Sequence, residues 1–327
     1  MFLKYDEQMA NDKFVSIMVM SFFRPEMTLE LLKSIHKLAD FPFEVILHDD
    51  HSDEWVQNKI YNEMRSLCST VVLGQGNVNL GFASAANRGT ALCNSDYVLL
   101  LNNDCLISKP CFKMIKEVLD TPYIASMSPR EIRNATPGAA DSSRAVVHRN
   151  GHSFSLSNLP GGSGAFAYRK ACWFENGGFP QVYDNGGDIA FIFSLIKRGY
   201  FHAGWMISTD GDDAPAIRNI DFENKYINAT AGIRNFNEAY PRIFPYCHQS
   251  QEFAIACELR RQRRYPLSQE QYLAPRGHHN IDYWSKWADS SYDGKGGINW
   301  EVLEDFGQRK WREQIDADIQ AWKSLKV

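Results

Sequence analysis

The chain has 327 residues, enough for one large domain or two ordinary ones, and its 44% hydrophobic and 23% charged residues exclude a disordered polymer. A formal net charge of −4 argues against a broad phosphate-binding surface for nucleic acid, and no apolar run approaches the ~20 residues that span a bilayer. The 7 cysteines form no Cys-x-x-Cys pair, which argues against a structural zinc site or a disulfide framework and fits a reducing compartment.

The charged segment Met1 to Asp12 lacks the apolar core of a signal peptide. A soluble, cytoplasmic protein is therefore expected, with peripheral membrane contact left open. Phe14 to Met20 is a short apolar run rich in β-branched residues and reads as a buried strand. Apolar residues then recur at Met27, Leu31, Ile35 and Leu38, which is one face of a helix. Phe43 to Leu47 is a second strand, running into His48-Asp49-Asp50-His51-Ser52-Asp53. A polar helix follows, then a strand at Thr70 to Leu73, a small-residue helix from Gly81 to Cys93, and a strand from Tyr97 to Leu101 ending in Asn102-Asn103-Asp104. Ser108 is placed to cap a helix running to about Leu119. Tyr123 to Met127 is a further strand.

This β-α-β-α-β-α-β order predicts an α/β protein with a mostly parallel central sheet covered by helices on both faces. Right-handed crossovers put the C-terminal ends of such strands on one rim, where open sheets bind their ligands. Asp49, Asp50 and Asp104 all stand at strand ends, and that convergence is the main physical argument for a site.

The second half reads differently. Ser128 to Leu159 is polar without a clear period and is expected to be a long surface excursion. Regularity returns at Gly161-Gly162-Ser163-Gly164, and a short helix from Arg169 to Asn176 ends at Gly177-Gly178-Phe179. Asp188 opens a helix that Gly199 stops, and a strand follows from Tyr200 to Ser208. From about Ile217 the pattern is helical, charged and aromatic. The tryptophans there and the Arg260–Arg264 basic run read by default as core packing and a solvated helix face.

Four pieces in order, from Val15 to Tyr200, resemble the family 2 glycosyltransferases, which have the nucleotide-sugar-binding GT-A fold. They are the opening strand and turn through Ser21 and Phe22; Asp49-Asp50-His51-Ser52; Asn79-Leu80-Gly81-Phe82-Ala83 with Asn87 and then Asn102-Asn103-Asp104; and Gly161-Gly162, Gly177-Gly178-Phe179, Asp188 and Arg198-Gly199-Tyr200. The resemblance implies a GT-A domain over 1–216, with a donor half at about 14–127 and an acceptor half at about 128–216. Residues 217–327 form a mainly helical C-terminal region of unknown role.

The same resemblance implies the chemistry. The expected reaction moves a sugar from a nucleotide diphosphate sugar, most simply UDP-linked, to an acceptor hydroxyl with inversion. Asp188 is the candidate general base, although it could equally be a helix cap; the family's acidic pair here reads Gly187-Asp188. Asp104 is the candidate ligand for a divalent cation, Mn²⁺ or Mg²⁺, with Asp210 as a further candidate and His202 earlier on the same strand. Asp49 is implied to accept from uracil N3–H, or else it caps the helix that follows. Ser21, Phe22, Asp50, Asn79, Gly81, Asn87, Asn102 and Asn103 are expected on the donor side, and Gly161, Gly162 and Gly187 on the acceptor side. Two rivals stay open: a nucleotide-binding enzyme of another class, disfavoured because Ser21 to Pro25 holds no glycine, and a catalytically weak glycan- or nucleotide-binding protein on the same fold. The acceptor class is open, nucleic acid included.

Overall fold

The computed structural model describes residues 13–22, 24–50, 52–74, 82–129, 131–132, 144–157, 164–179, 187–207, 216–219, 290–303 and 307–325. Its centre is a parallel sheet. Strand β1 (Val15–Ser21) lies between β2 (Phe43–Asp49) and β4 (Tyr97–Asn102), and β3 (Thr70–Leu73) flanks β2. Helices α1 (Pro25–Leu38), α2 (Glu54–Met64) and α3 (Phe82–Leu92) are the crossovers.

All seven residues of β1 are buried, as a strand covered on both faces requires. Side-chain alternation separates two apolar layers. Ile17, Val19, Val45, Leu47, Leu99 and Leu101 join Leu31 and Ile35 of α1 and Val56 and Ile60 of α2 on one side. Met18, Met20, Ile46, Val98 and Leu100 meet Ala83 and Ala86 of α3 on the other. The small residues of α3 allow a close approach: a Cβ on Gly89 would fall 2.2 Å from Met18 Cε. The buried residues of α1 are Pro25, Thr28, Leu31, Leu32, Ser34 and Ile35, so polar Thr28 takes the place expected for Met27.

Beyond β4 the sheet turns mixed. Strand β5 (Cys105–Ile107) leaves it and later pairs antiparallel with β12 (Ile217–Asn219). Helix α4 (Phe112–Leu119) starts later than Ser108 suggested, because its cap is tertiary. Asp40 Oδ1 accepts from Phe112 N at 2.9 Å, while Ser108 N donates to Ala216 O at 2.8 Å. Next come β6 (Ile124–Met127), β7 (Glu131–Ile132), β8 (Val146–Arg149), β9 (His152–Ser157), β10 (Ala165–Arg169), α5 (Lys170–Glu175), α6 (Gly187–Lys197) and β11 (Phe201–Ile207). The main sheet runs β3-β2-β1-β4-β10-β6-β11-β9-β8, with β7 beside β11. β10 is antiparallel to β4 and β6, and β11 is parallel to β6.

The expected surface excursion over 128–159 therefore holds a buried hairpin. β8 and β9 pair antiparallel around Asn150-Gly151, and both turn residues have positive φ, 51° and 80°. Asn-Gly is the preferred pair for a two-residue hairpin loop of this kind. The serines on the strand after it masked the signal.

Helix α6 ends as Gly199 predicts. With φ 86° at Gly199, Tyr200 N donates to Leu195 O and Gly199 N to Ile196 O, the paired bonds of a Schellman stop. In the C-terminal region, α7 (Arg312–Lys323) buries Ile315, Ile319 and Trp322 and packs on β8. Asp318 accepts from Tyr123 Oη at 2.7 Å and from Arg149 Nη1 at 3.1 Å. Trp311 Nε1 donates to Gly199 O. Ile298, Trp300, Leu303, Ile315 and Ile319 belong to the same apolar cluster as the sheet, so this part of the region is packed into the core of the sheet domain.

Candidate active site

Strand register assembles the rim. Ser21 pairs with Asp49, and Met20 with both His48 and Asn102. Asp50 N donates to Ser21 O at 2.8 Å and Asn103 N to Met20 O at 3.0 Å. Five sequence-predicted residues, Ser21, Asp49, Asp50, Asn102 and Asn103, thereby come together at the ends of three adjacent strands. Thr28, which sequence reasoning missed, ties them. Its hydroxyl meets Ser21 Oγ at 3.1 Å, accepts from Asn103 Nδ2 at 3.2 Å and donates to Arg24 O at 3.3 Å. Thr28 and Ser34 are the two polar residues among the buried positions of α1. Phe22 is half-buried and packs against the apolar cluster beneath the rim.

Asp49 closes its own turn. The residue is 0% exposed. Its Oδ1 accepts from Ser52 Oγ at 2.5 Å, and its Oδ2 from Ser52 N at 2.9 Å and Gln57 Nε2 at 3.2 Å. Gln57 also donates to Gly74 O at 2.7 Å. Burial raises the Asp49 pKa against these hydrogen bonds. A carboxylate so held braces the ends of β2, β3 and α2, the turn- and helix-closing role that the sequence also offered for it.

Asp104 is buried at 4% exposure just past β4. Asn102 is half-buried, and its N–H donates to Gly164 O at 2.6 Å. Cys105 Sγ donates to the same carbonyl at 3.2 Å. The acceptor-side glycine segment thus arrives against the Asn102–Asp104 triplet, although Gly161 and Gly162 lie outside the described residues, as do Asn79, Gly81 and Asp210. Among the described residues, no three His, Cys, Asp or Glu side chains gather as a metal cage. The donor set is one carboxylate, which fits a hard cation only if the remaining oxygens come from a diphosphate and water.

His202 does not serve as a metal ligand. Its Nδ1 meets Ser126 Oγ at 2.9 Å and its Nε2 meets Ser128 Oγ at 3.1 Å. Burial pulls its pKa down to about 3, so the ring is neutral and both nitrogens are engaged. Because the folded pKa lies below the unfolded value, this group's contribution is full above about pH 6.5 and falls as pH drops toward 3. Going from pH 7.5 to 5 should cost about 2 kcal/mol of unfolding free energy through this residue. Denaturant titrations at both pH values check it, and the drop should shrink by that amount in His202→Gln.

Asn87 is held within the fold. Its Nδ2 donates to Phe179 O at 3.0 Å, and its Oδ1 accepts from Phe179 N at 2.7 Å and Trp173 Nε1 at 3.0 Å. Those bonds join α3 to the segment before α6.

Asp188 sits in the first turn of α6, half-buried, one residue inside the helix that Gly187 starts. It is therefore not the N-cap. The Arg198–Tyr200 turn reverses the chain from α6 into β11, against which α6 packs. β11 runs parallel to β6 and hence, through antiparallel β10, in the direction of β4. The start of α6 therefore points to the rim where β4 delivers Asp104.

The model of the glycosyl transferase family 2 matches residues 16–179, half of the chain. The chain belongs to glycosyl transferase family 2. The matched span runs from β1 to the Gly177-Gly178-Phe179 stop and covers the rim just described. The transferase is 25% identical over 191 residues to an uncharacterized glycosyltransferase of Haemophilus influenzae; the match covers 57% of this chain and 63% of that protein. Among solved structures, it resembles a mannosyltransferase from Pyrobaculum calidifontis in complex with GDP-Man and Mn²⁺, at 16% identity over 91% of this chain and 87% of the other, with a TM-score of 0.45. It also resembles S. aureus TarS 1–349 in complex with UDP, at 18% identity over 95% and 89% of the two chains, with a TM-score of 0.46. The fold is the mostly parallel α/β arrangement expected from the sequence. Among the described residues, no helix is long and apolar enough to cross a membrane.

Proposed function

We propose that this family 2 glycosyltransferase moves a sugar from a UDP-linked donor to an acceptor hydroxyl, with inversion at the anomeric carbon. The observation that carries the reading is the rim itself. Strands β1, β2 and β4 end in register, so that Ser21, Asp50 and the Asn102–Asp104 triplet share one edge, with the start of α6 directed toward it. On this reading Ser21, Phe22, Asp50, Asn102 and Asn103 line the donor side, while Gly187 keeps the base helix open to the acceptor. Asp188 takes the proton from the acceptor hydroxyl as that oxygen attacks from the face opposite the leaving group. The new bond to the anomeric carbon forms as the bond to the diphosphate oxygen breaks. Asp104 is the residue that would hold a divalent cation together with the donor. When bound, such an ion would neutralise charge building on the departing diphosphate.

The test is release of nucleoside diphosphate from a panel of nucleotide sugars, with Mn²⁺, with Mg²⁺ and with chelator. Turnover should need the cation. Asp104→Ala should lower it by about 10²–10³-fold, the equivalent of several kcal/mol of charge stabilisation. Turnover that is unchanged by chelator and by Asp104→Ala would overturn the metal role. Tight glycan binding without turnover of any donor would favour a binding protein instead.

A further inference from the structure

We infer that Asn87, a residue of the donor-half helix α3, positions the base-bearing helix α6. The inference rests on the reading of Asp188 as general base. Four observations carry it. The Asn87 amide grips the Phe179 peptide from both sides, Nδ2 on its carbonyl at 3.0 Å and Oδ1 on its N–H at 2.7 Å. A third bond, from Trp173 Nε1 at 3.0 Å, allows only one orientation of that amide, since a swap would set NH₂ against two donors. The grip is made possible by Gly178, which has φ 90°; a Cβ there would fall 2.6 Å from Asn87 Oδ1. An L side chain there would be strained on both counts.

The gripped residue then reaches α6. The Phe179 ring is 2% exposed and lies 4.4 Å, centroid to centroid, from Phe191. Phe191 follows Asp188 by three residues, one helical turn along α6. Phe82 of α3, Phe166 and Tyr168 enclose the same ring at 5.4 to 5.9 Å. Fixing the Phe179 peptide therefore fixes the ring, and the ring fixes the turn of α6 that carries the carboxylate. Displacement of a catalytic group by about 1 Å can cost roughly 10²-fold in rate.

A double-mutant cycle on the full chain tests this. Asn87→Asp keeps the side chain's shape and both acceptor contacts, and replaces the donation to Phe179 O by a carboxylate oxygen that repels that carbonyl. Gly178→Ala attacks the same grip from the other side. Each should lower kcat for nucleotide-sugar turnover by about 10- to 100-fold, with the Kd for nucleoside diphosphate, measured by calorimetry, within about twofold of wild type. In an Asp188→Asn background each should cost less than about twofold more, because the misplaced group is already gone. Equal losses in both backgrounds would overturn the inference, as would a Kd rising in step with the loss, which would make Asn87 a donor contact. An Asn87→Asp chain that does not fold, or one with wild-type kcat, would overturn it too. The Asp188→Asn single variant is read on its own: full turnover there sinks the base assignment, whatever Asn87 does.

Discussion

Asp188→Asn should lower kcat for sugar transfer by about 10²–10⁴-fold, the range a positioned general base contributes, while the chain stays folded. Both halves of this expectation come from the helix. Asp188 lies in the first turn of α6, where a negative charge interacts favourably with the helix dipole; removing that charge costs about 0.3–1 kcal/mol. Asparagine has the same shape and still offers an acceptor oxygen to the first-turn N–H groups. A large kinetic effect with a small stability effect therefore separates the base from a purely electrostatic end group. A variant as active as wild type would return Asp188 to a structural role.

Phe179→Ala should destabilise the fold by about 3–5 kcal/mol, the cost typical of deleting a large aromatic from a closed core. The ring is 2% exposed, and Phe82, Phe166, Tyr168 and Phe191 close over it, with centroids 4.4 to 5.9 Å away. Those rings belong to α3, β10 and α6, so the cavity would open where three elements meet. They cannot all move in to fill it, because the Phe179 backbone stays tethered to Asn87. Chemical denaturation with the slope held fixed measures the effect. A loss below about 1 kcal/mol would mean that the cluster collapses freely around the missing ring.

Much of the donor half is legible in the chain itself. Near-continuous apolar runs at 15–20, 43–47 and 97–101, separated by helix-period segments, can be buried only as parallel strands with crossovers between them. That order by itself delivers the residues near 49 and 104 to one rim. Gly199 and Gly177-Gly178 also announce their helix stops, because positive φ selects glycine.

Tertiary structure decided the roles. Whether a strand-end carboxylate faces a ligand or closes its own turn depends on which donors fold back to it; for Asp49 these are Ser52 and Gln57. Thr28 gains meaning only when α1 lies beneath Asn103. Asn87 sits next to Gly178-Phe179 only after some ninety residues of chain have returned, and the cap of α4 comes from Asp40, more than seventy residues upstream. The β8–β9 hairpin carries an Asn-Gly turn in plain view, yet its serine-rich strand buries itself only because β11 and the C-terminal segment cover it. Local pattern specifies what each segment becomes, since period and turn chemistry act over a few residues. Which polar atom meets which partner is settled by contacts across the fold, and that determined how the carboxylates and amides of the Asn79–Asp104 region divide between the candidate site and the frame that holds it.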